Sequence, residues 1–295
     1  MEIKQLVDGN NLLGEGPLWD VTEQRLYWID SWGKKIFRAA PDGSELETWD
    51  VPEMIGSMAL RQQGGAVIAL RTGFHFFDFN SAECELIFDP EPDMADTRLN
   101  DGKVDKRGRF IAGSMDMTEQ AAAGSLYRLE PDLSCHKIES QIKVSNGPCW
   151  SPDGQTFYFT DTWSGELWAY DYALETGELS NKRIFATCDS ADPNDDSGVP
   201  DGSTVDAEGF VWNALVYAGE IIRYAPDGSV DRRIDLPVKI ATSVMFGGAD
   251  LDILYVTSIA KSPQPQFPDD GPLGGSLFAI YGLGVRGIEE PRFAG

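Results

Sequence analysis

Apolar and polar positions alternate with a period of two along most of the chain, in runs of about four to eight residues bounded by Gly, Asp, Asn and Pro. "RLYWID", "AVIAL", "TFYFTD", "FVWNAL" and "ILYVTS" are typical, rich in aromatic and β-branched residues with a turn residue close by. Successive side chains of a strand point to opposite faces, so this pattern predicts partly or fully buried β-strands. No stretch keeps apolar residues at helical spacing over ten or more positions. The chain reads as all-β.

The runs recur as a larger unit. "EGPLWDVTEQRLYWID", "GSMALRQQGGAVIAL", "NDGKVDKRGRFIAGSMD", "NGPCWSPDGQTFYFTD", "DGSTVDAEGFVWNAL" and "TSVMFGGADLDILYVTS" each set an apolar run, a polar turn and a second alternating run in the same order. Most continue into a further strand and turn, as in "GEIIRYAPDGS". With Trp19, Leu60, Val104, Trp150, Val205 and Phe246 as equivalent anchors, the intervals run from about 41 to about 55 residues, the spacing of four-stranded propeller blades. The prediction is a six-bladed β-propeller of four-stranded antiparallel blades, one domain over residues 1–295, which hides most strand edges without helices. "CDSADPNDDSGVP" is expected as a surface loop, and "GGSLFAIYGLGVRG" is expected to supply the last strands of the sixth blade.

In a propeller the innermost strand of each blade lines a central channel, and its first residues ring one mouth. Four residues before the anchors stand Glu15, Gly56, Asn100, Asn146, Asp201 and Thr242. Asp and Asn also favour strand-entry turns, where they bond their own backbone. Turn chemistry, however, does not require oxygens in register around one axis. Carboxylates that converge there repel unless a cation neutralises them. Glu15, Asn146 and Asp201 are therefore the candidate ligands of one divalent metal ion. All-oxygen ligation suits Ca, Mg or Mn, with Zn the less natural choice. Two carboxylates and an amide leave the coordination shell open for water or substrate, which points to catalysis more than to structure.

Composition narrows the partners. Lys and Arg number 24 against 48 Asp and Glu, a net charge of −24, which argues against nucleic acid or an anionic membrane surface as partner. The N-terminal "MEIKQLVDGNN" does not have the form of a secretory signal, and no stretch has the roughly 18 consecutive apolar residues of a membrane span. The expectation is a soluble, cytoplasmic protein, a monomer or weak homo-oligomer. Cys84, Cys135, Cys149 and Cys188 lie far apart without a CxxC pair and are expected as reduced thiols. The two histidines, His75 and His136, fall outside the ring motifs, which argues against Ser-His-Asp or histidine-dyad chemistry.

"LLGEGPLWD", "RLNDGKVDKRGRFIAGSMD", "SNGPCWSPDGQTFYFTDT", "VPDGSTVDAEGFVWNA" and "GGSLFAIYGLGVRG" resemble the regucalcin, gluconolactonase and luciferin-regenerating-enzyme family, in order and from about Leu12 to the C-terminus. The resemblance implies a six-bladed propeller that hydrolyses sugar lactones with one divalent metal in the channel mouth. It implies Glu15, Asn146 and Asp201 as metal ligands, Asn100 as a substrate contact near the metal, and Arg98 as a holder of sugar hydroxyls. The family's acidic substrate contact follows the "GSM" motif, and here "GSMDMTEQ" offers both Asp116 and Glu119.

On this reading Asp201 is the general base toward water, the metal polarises the lactone carbonyl, Asn100 donates to the oxyanion, and Arg98 offers a planar fork to vicinal hydroxyls. Trp32, Trp163 and Tyr217 are candidates for the walls of a sugar pocket, with blade core as the rival reading. Two other functions compete: a phosphotriesterase-type hydrolase on the same scaffold, and a non-catalytic calcium-binding or interaction propeller.

Overall fold

Each of the six repeats folds into a four-stranded antiparallel sheet, and the sheets close into a ring. The computed structural model describes residues 1–188, 198–261 and 269–295. The insertion expected as a surface loop falls largely outside them. Among the described residues there is no α-helix, only the 3-10 turns Thr162–Ser164 and Gly271–Leu273, and no helix long and apolar enough to cross a membrane.

The innermost strands are Gly14–Asp20, Ile55–Leu60, Thr97–Val104, Ser145–Trp150, Val199–Val205 and Ala241–Gly247. Each contains one anchor residue of the repeat. Each also carries a register irregularity toward its second strand, beginning at or next to the ring position: Glu15/Leu18, Ile55/Ser57, Leu99/Gly102, Asn146/Cys149, Pro200/Ser203 and Ala241/Val244. A bulge bends a strand and re-aims a side chain. Repeated six times at one depth, it sets the geometry of the channel mouth.

The apolar faces pack between blades. Trp212 of blade five meets Phe246 of blade six edge-on, with ring centroids 5.5 Å apart. Trp19 stacks on Tyr255 across the seam between blades one and six at 5.9 Å. Each such fully buried ring contributes about 3 kcal/mol by transfer from water.

The sixth blade differs from expectation. "GGSLFAIYGLGVRG" contributes a single strand, Leu277–Tyr281, and the fourth strand is the N-terminal Glu2–Val7, paired from Glu2↔Tyr281 to Val7↔Leu277. The two ends of the chain thus join the ring by backbone hydrogen bonds. After Tyr281 the chain crosses the face opposite the ring positions. Gly287 N donates to Leu251 O (2.7 Å), Phe293 N to Leu60 O (2.9 Å) and Ala294 N to Gly108 O (3.0 Å), so the C-terminal segment straps blades six, two and three together.

Candidate active site in the channel mouth

Glu15, Asn100, Asn146 and Asp201 line one open cavity. The other two ring positions have local reasons to stand apart. A Cβ on Gly56 would lie 2.4 Å from Leu99 O and 2.5 Å from Asn100 Cα, so glycine lets blade two press against the backbone of Asn100. Thr242 Oγ1 donates to Gly14 O at 2.5 Å and holds the strand beside Glu15.

A chain of hydrogen bonds runs around the ring. Arg98 Nη1 donates to Asn100 Oδ1 (2.6 Å), Asn100 Nδ2 to Asn146 Oδ1 (2.9 Å), and Asn146 Nδ2 to Thr162 Oγ1 (2.8 Å). Asn100 Nδ2 also donates to Ser145 O at 2.8 Å. Both amide hydrogens of Asn100 are therefore committed within the protein. In this arrangement Asn100 orients Arg98 and Asn146 and has no donor left for an oxyanion. Arg98 uses Nη1 toward Leu99 O and Asn100, which leaves Nη2 and Nε for a ligand.

The carboxylates crowd one another. Burial, then the charge of Asp101, raises the Glu15 carboxyl from 4.5 to about 8, while Gly16 N–H and Arg98 oppose the rise. Asp201 is driven well above its ordinary value by burial, then by Glu15, Asp101 and Glu119. Its Oδ1 is buried without a hydrogen-bond partner. Glu15 accepts from its own neighbour, Gly16 N, at 3.3 Å. A buried acceptor left unpaired is costly, as are two carboxylates facing each other. One positive charge between them relieves both, and the second lone pair of Asn146 Oδ1 is open to it. The donor set fits a hard divalent cation. Among the described residues no three His, Cys, Asp or Glu side chains form a metal cluster; here the third donor is an amide.

The walls combine apolar and polar groups. Leu13, Val199, Val216, Tyr217 and Ile259 form a buried cluster against which Trp32 and Trp163 pack, and all seven line the cavity. The aromatic trio thus belongs both to the packing between blades and to the cavity surface. Tyr217 (φ 75°) and Glu119 (φ 58°) hold left-handed backbone, a costly conformation for side-chain-bearing residues that clusters at ligand sites. Glu119 lines the cavity, and its Oε2 accepts from Trp163 Nε1 at 2.8 Å. Asp116 does not line it; its carboxylate is taken up by the following loop. His75 packs in blade two with Nδ1 3.1 Å from Gly73 O, and His136 is exposed beside Ser134. Neither lines the cavity. Cys84, Cys135 and Cys149 are free thiols.

Two further residues shape the site. Asp101 is buried and accepts from Gly102 N and Gly147 N, both at 2.8 Å. "NDG" reads as a turn, which conceals that this carboxylate reinforces the negative potential at Glu15 and Asp201. Thr162 fixes which face Asn146 presents; it directly follows the "YFTD" run, and that position is its one trace in the sequence.

Residues 13–260 match the family model of the SMP-30/Gluconolactonase/LRE-like region. Regucalcin from Xenopus laevis is 35% identical, covering 100% of this chain and 99% of the relative. 6-Deoxy-6-sulfogluconolactonase from Pseudomonas putida is also 35% identical, covering 99% of each. A solved calcium-binding protein, regucalcin from Agrobacterium tumefaciens, superposes with a TM-score of 0.90 at 28% identity, over 98% of this chain and 96% of that one. The chain belongs to the SMP-30/gluconolactonase/LRE-like family.

Proposed function

We propose that this protein hydrolyses a sugar (aldono-)lactone to the open sugar acid with the help of one divalent cation held by Glu15, Asn146 and Asp201. The observation that carries the reading is the partnerless Asp201 Oδ1, in a cavity that Glu15, Asn146 and Arg98 also line. A bound cation supplies Lewis-acid polarisation of the lactone carbonyl. Asp201, ionised beside the cation and lacking a hydrogen-bond donor at Oδ1, takes the proton of the attacking water and passes it to the ring oxygen as the acyl C–O bond breaks. Arg98 offers Nη2 and Nε to ring hydroxyls, and Glu119 accepts a hydroxyl hydrogen. Trp32, Trp163 and Tyr217 give the ring an apolar wall that excludes bulk water. The substrate is a small soluble molecule, and the reading involves no nucleic acid or membrane; a monomer or weak homo-oligomer suffices. The family's name and the sulfogluconolactonase relative support the reaction class.

The test is a lactone panel followed by acid release, after chelation and with Ca, Mg, Mn or Zn added back. Rapid hydrolysis of at least one aldonolactone, lost on chelation and restored by one ion, is expected. A phosphotriester assayed alongside should turn over far more slowly; the reverse order would favour the phosphotriesterase reading. The regucalcin relatives and the solved calcium-binding protein favour a second reading, a cation-binding propeller without catalysis. Metal-replete protein inert on every lactone would support it.

A further inference from the structure

The repeat contains a control for one of its own residues. The second strand of blades one, three and four ends in Asp: Asp30 in "YWID", Asp116 in "GSMD" and Asp161 in "YFTD". In blades one and four this carboxylate reaches back to the chain entering its own inner strand. Asp30 accepts from Leu12 N (2.9 Å) and Leu13 N (3.0 Å), with Gly33 N of its following loop as a third donor (2.8 Å), and Asp161 accepts from Lys143 N (3.0 Å) and Val144 N (2.9 Å). Asp116 turns the other way. Its Oδ1 accepts from Thr118 N (3.1 Å), and its Oδ2 from Thr118 Oγ1 (2.8 Å), Gln120 N (2.9 Å) and Ala121 N (2.7 Å). Its main-chain oxygen takes Glu119 N at 3.0 Å.

Five hydrogen bonds from one residue thus bracket Glu119, the loop residue that lines the cavity. They hold it in left-handed backbone, φ 58°, a conformation that costs a non-glycine residue about 1 kcal/mol or more. From there Glu119 meets Trp163 Nε1, and its charge acts on Arg98 and Asp201. Asp116 itself pairs across the sheet with Thr97, the residue before Arg98, so the clamp stands on the strand pair that carries the guanidinium.

We infer that Asp116 is a positioning residue: it gives up the role its counterparts play in the repeat in order to fix Glu119 opposite Arg98, so that one acceptor and one donor read neighbouring hydroxyls of the substrate. The inference rests on the lactonase reading for its substrate, and on geometry alone for the clamp. The Ala121 N–H and the Thr118 hydroxyl hold the Asp116 carboxyl down to about 2, so the clamp is ionised near neutral pH.

The test is a double-mutant cycle on the best lactone of the panel. Asp116→Ala and Glu119→Ala should each raise KM about 10-fold, the scale of one hydrogen bond to a charged group, with kcat within about 3-fold. The double variant should match Glu119→Ala alone, because both changes remove one contact. Asp116→Asn, which retains one acceptor oxygen, should recover part of the loss and serves if the alanine variant folds poorly. Additive KM effects, or an unchanged KM with only a lower Tm, would overturn the inference. Amide exchange supplies a readout independent of activity. In Asp116→Ala the amides of residues 118–121 should exchange faster while those of residues 110–115 stay protected. An unchanged loop overturns the clamp even in an active enzyme, whereas a loosened loop in a protein inert on every lactone counts against the lactonase reading and leaves the clamp standing.

Discussion

The strained carboxylate pair makes a measurable demand on stability. Glu15 is raised from 4.5 to about 8 by burial and by Asp101. Below pH 4.5 the folded and unfolded chains both hold this proton. Between 4.5 and about 8 the unfolded chain has released it and the folded chain has not, so rising pH favours unfolding. At ~1.36 kcal/mol per pH unit the full displacement corresponds to about 5 kcal/mol. Glu15 is only partly buried, so water relaxes part of this, and a loss of about 2–3 kcal/mol is expected. Urea unfolding in chelator at pH 5.5 and 8, followed by tryptophan fluorescence, measures it. Glu15→Gln removes one ionisation and relieves Asp201, so the variant should show that much less pH dependence. Saturating divalent cation should reverse the wild-type trend, because it binds the ionised pair and stabilises the folded state by mass action. Equal pH dependence in wild type and Glu15→Gln would refute the reasoning.

Further consequences follow from the same geometry. Asp201→Asn should lower kcat by about 1,000-fold or more in the lactone assay, and near-normal turnover would require another base. Removing residues 1–7 takes away the strand that completes the sixth blade, with its backbone bonds and the burial of Val7. It should cost about 5 kcal/mol in a denaturant titration, and an unchanged midpoint would mean that the ring closes without it.

The ring was the most legible part of this protein because it is written six times. An anchor residue in each repeat fixes the depth of the residue four places earlier, and Glu15, Asn100, Asn146 and Asp201 meet in one cavity for that reason. What the repeat does not encode was harder to read. The strand Glu2–Val7, EIKQLV, breaks its alternation at Lys4 and Gln5, and nothing local says that its partner is Leu277–Tyr281. The choice between Asp116 and Glu119 depended on a loop conformation with positive φ at a glutamate, which no propensity predicts. Asp101 was concealed in an Asn-Asp-Gly turn signal. Asn100 stood at the right depth, yet the direction of its amide was set by Ser145 and Asn146, a tertiary contact outside the reach of spacing.

Ring closure is proposed to make a single cation site from Glu15, Asn146 and Asp201. Calorimetric titration of Ca²⁺, with Mg²⁺ and Mn²⁺ in parallel, into chelator-stripped protein tests it most directly. One ion per chain is expected for wild type, with a loss of affinity of about 100-fold or more in each of Glu15→Gln, Asn146→Ala and Asp201→Asn and far-UV circular dichroism unchanged. Wild-type affinity retained in any of the three variants, or no binding by the native chain, would contradict it.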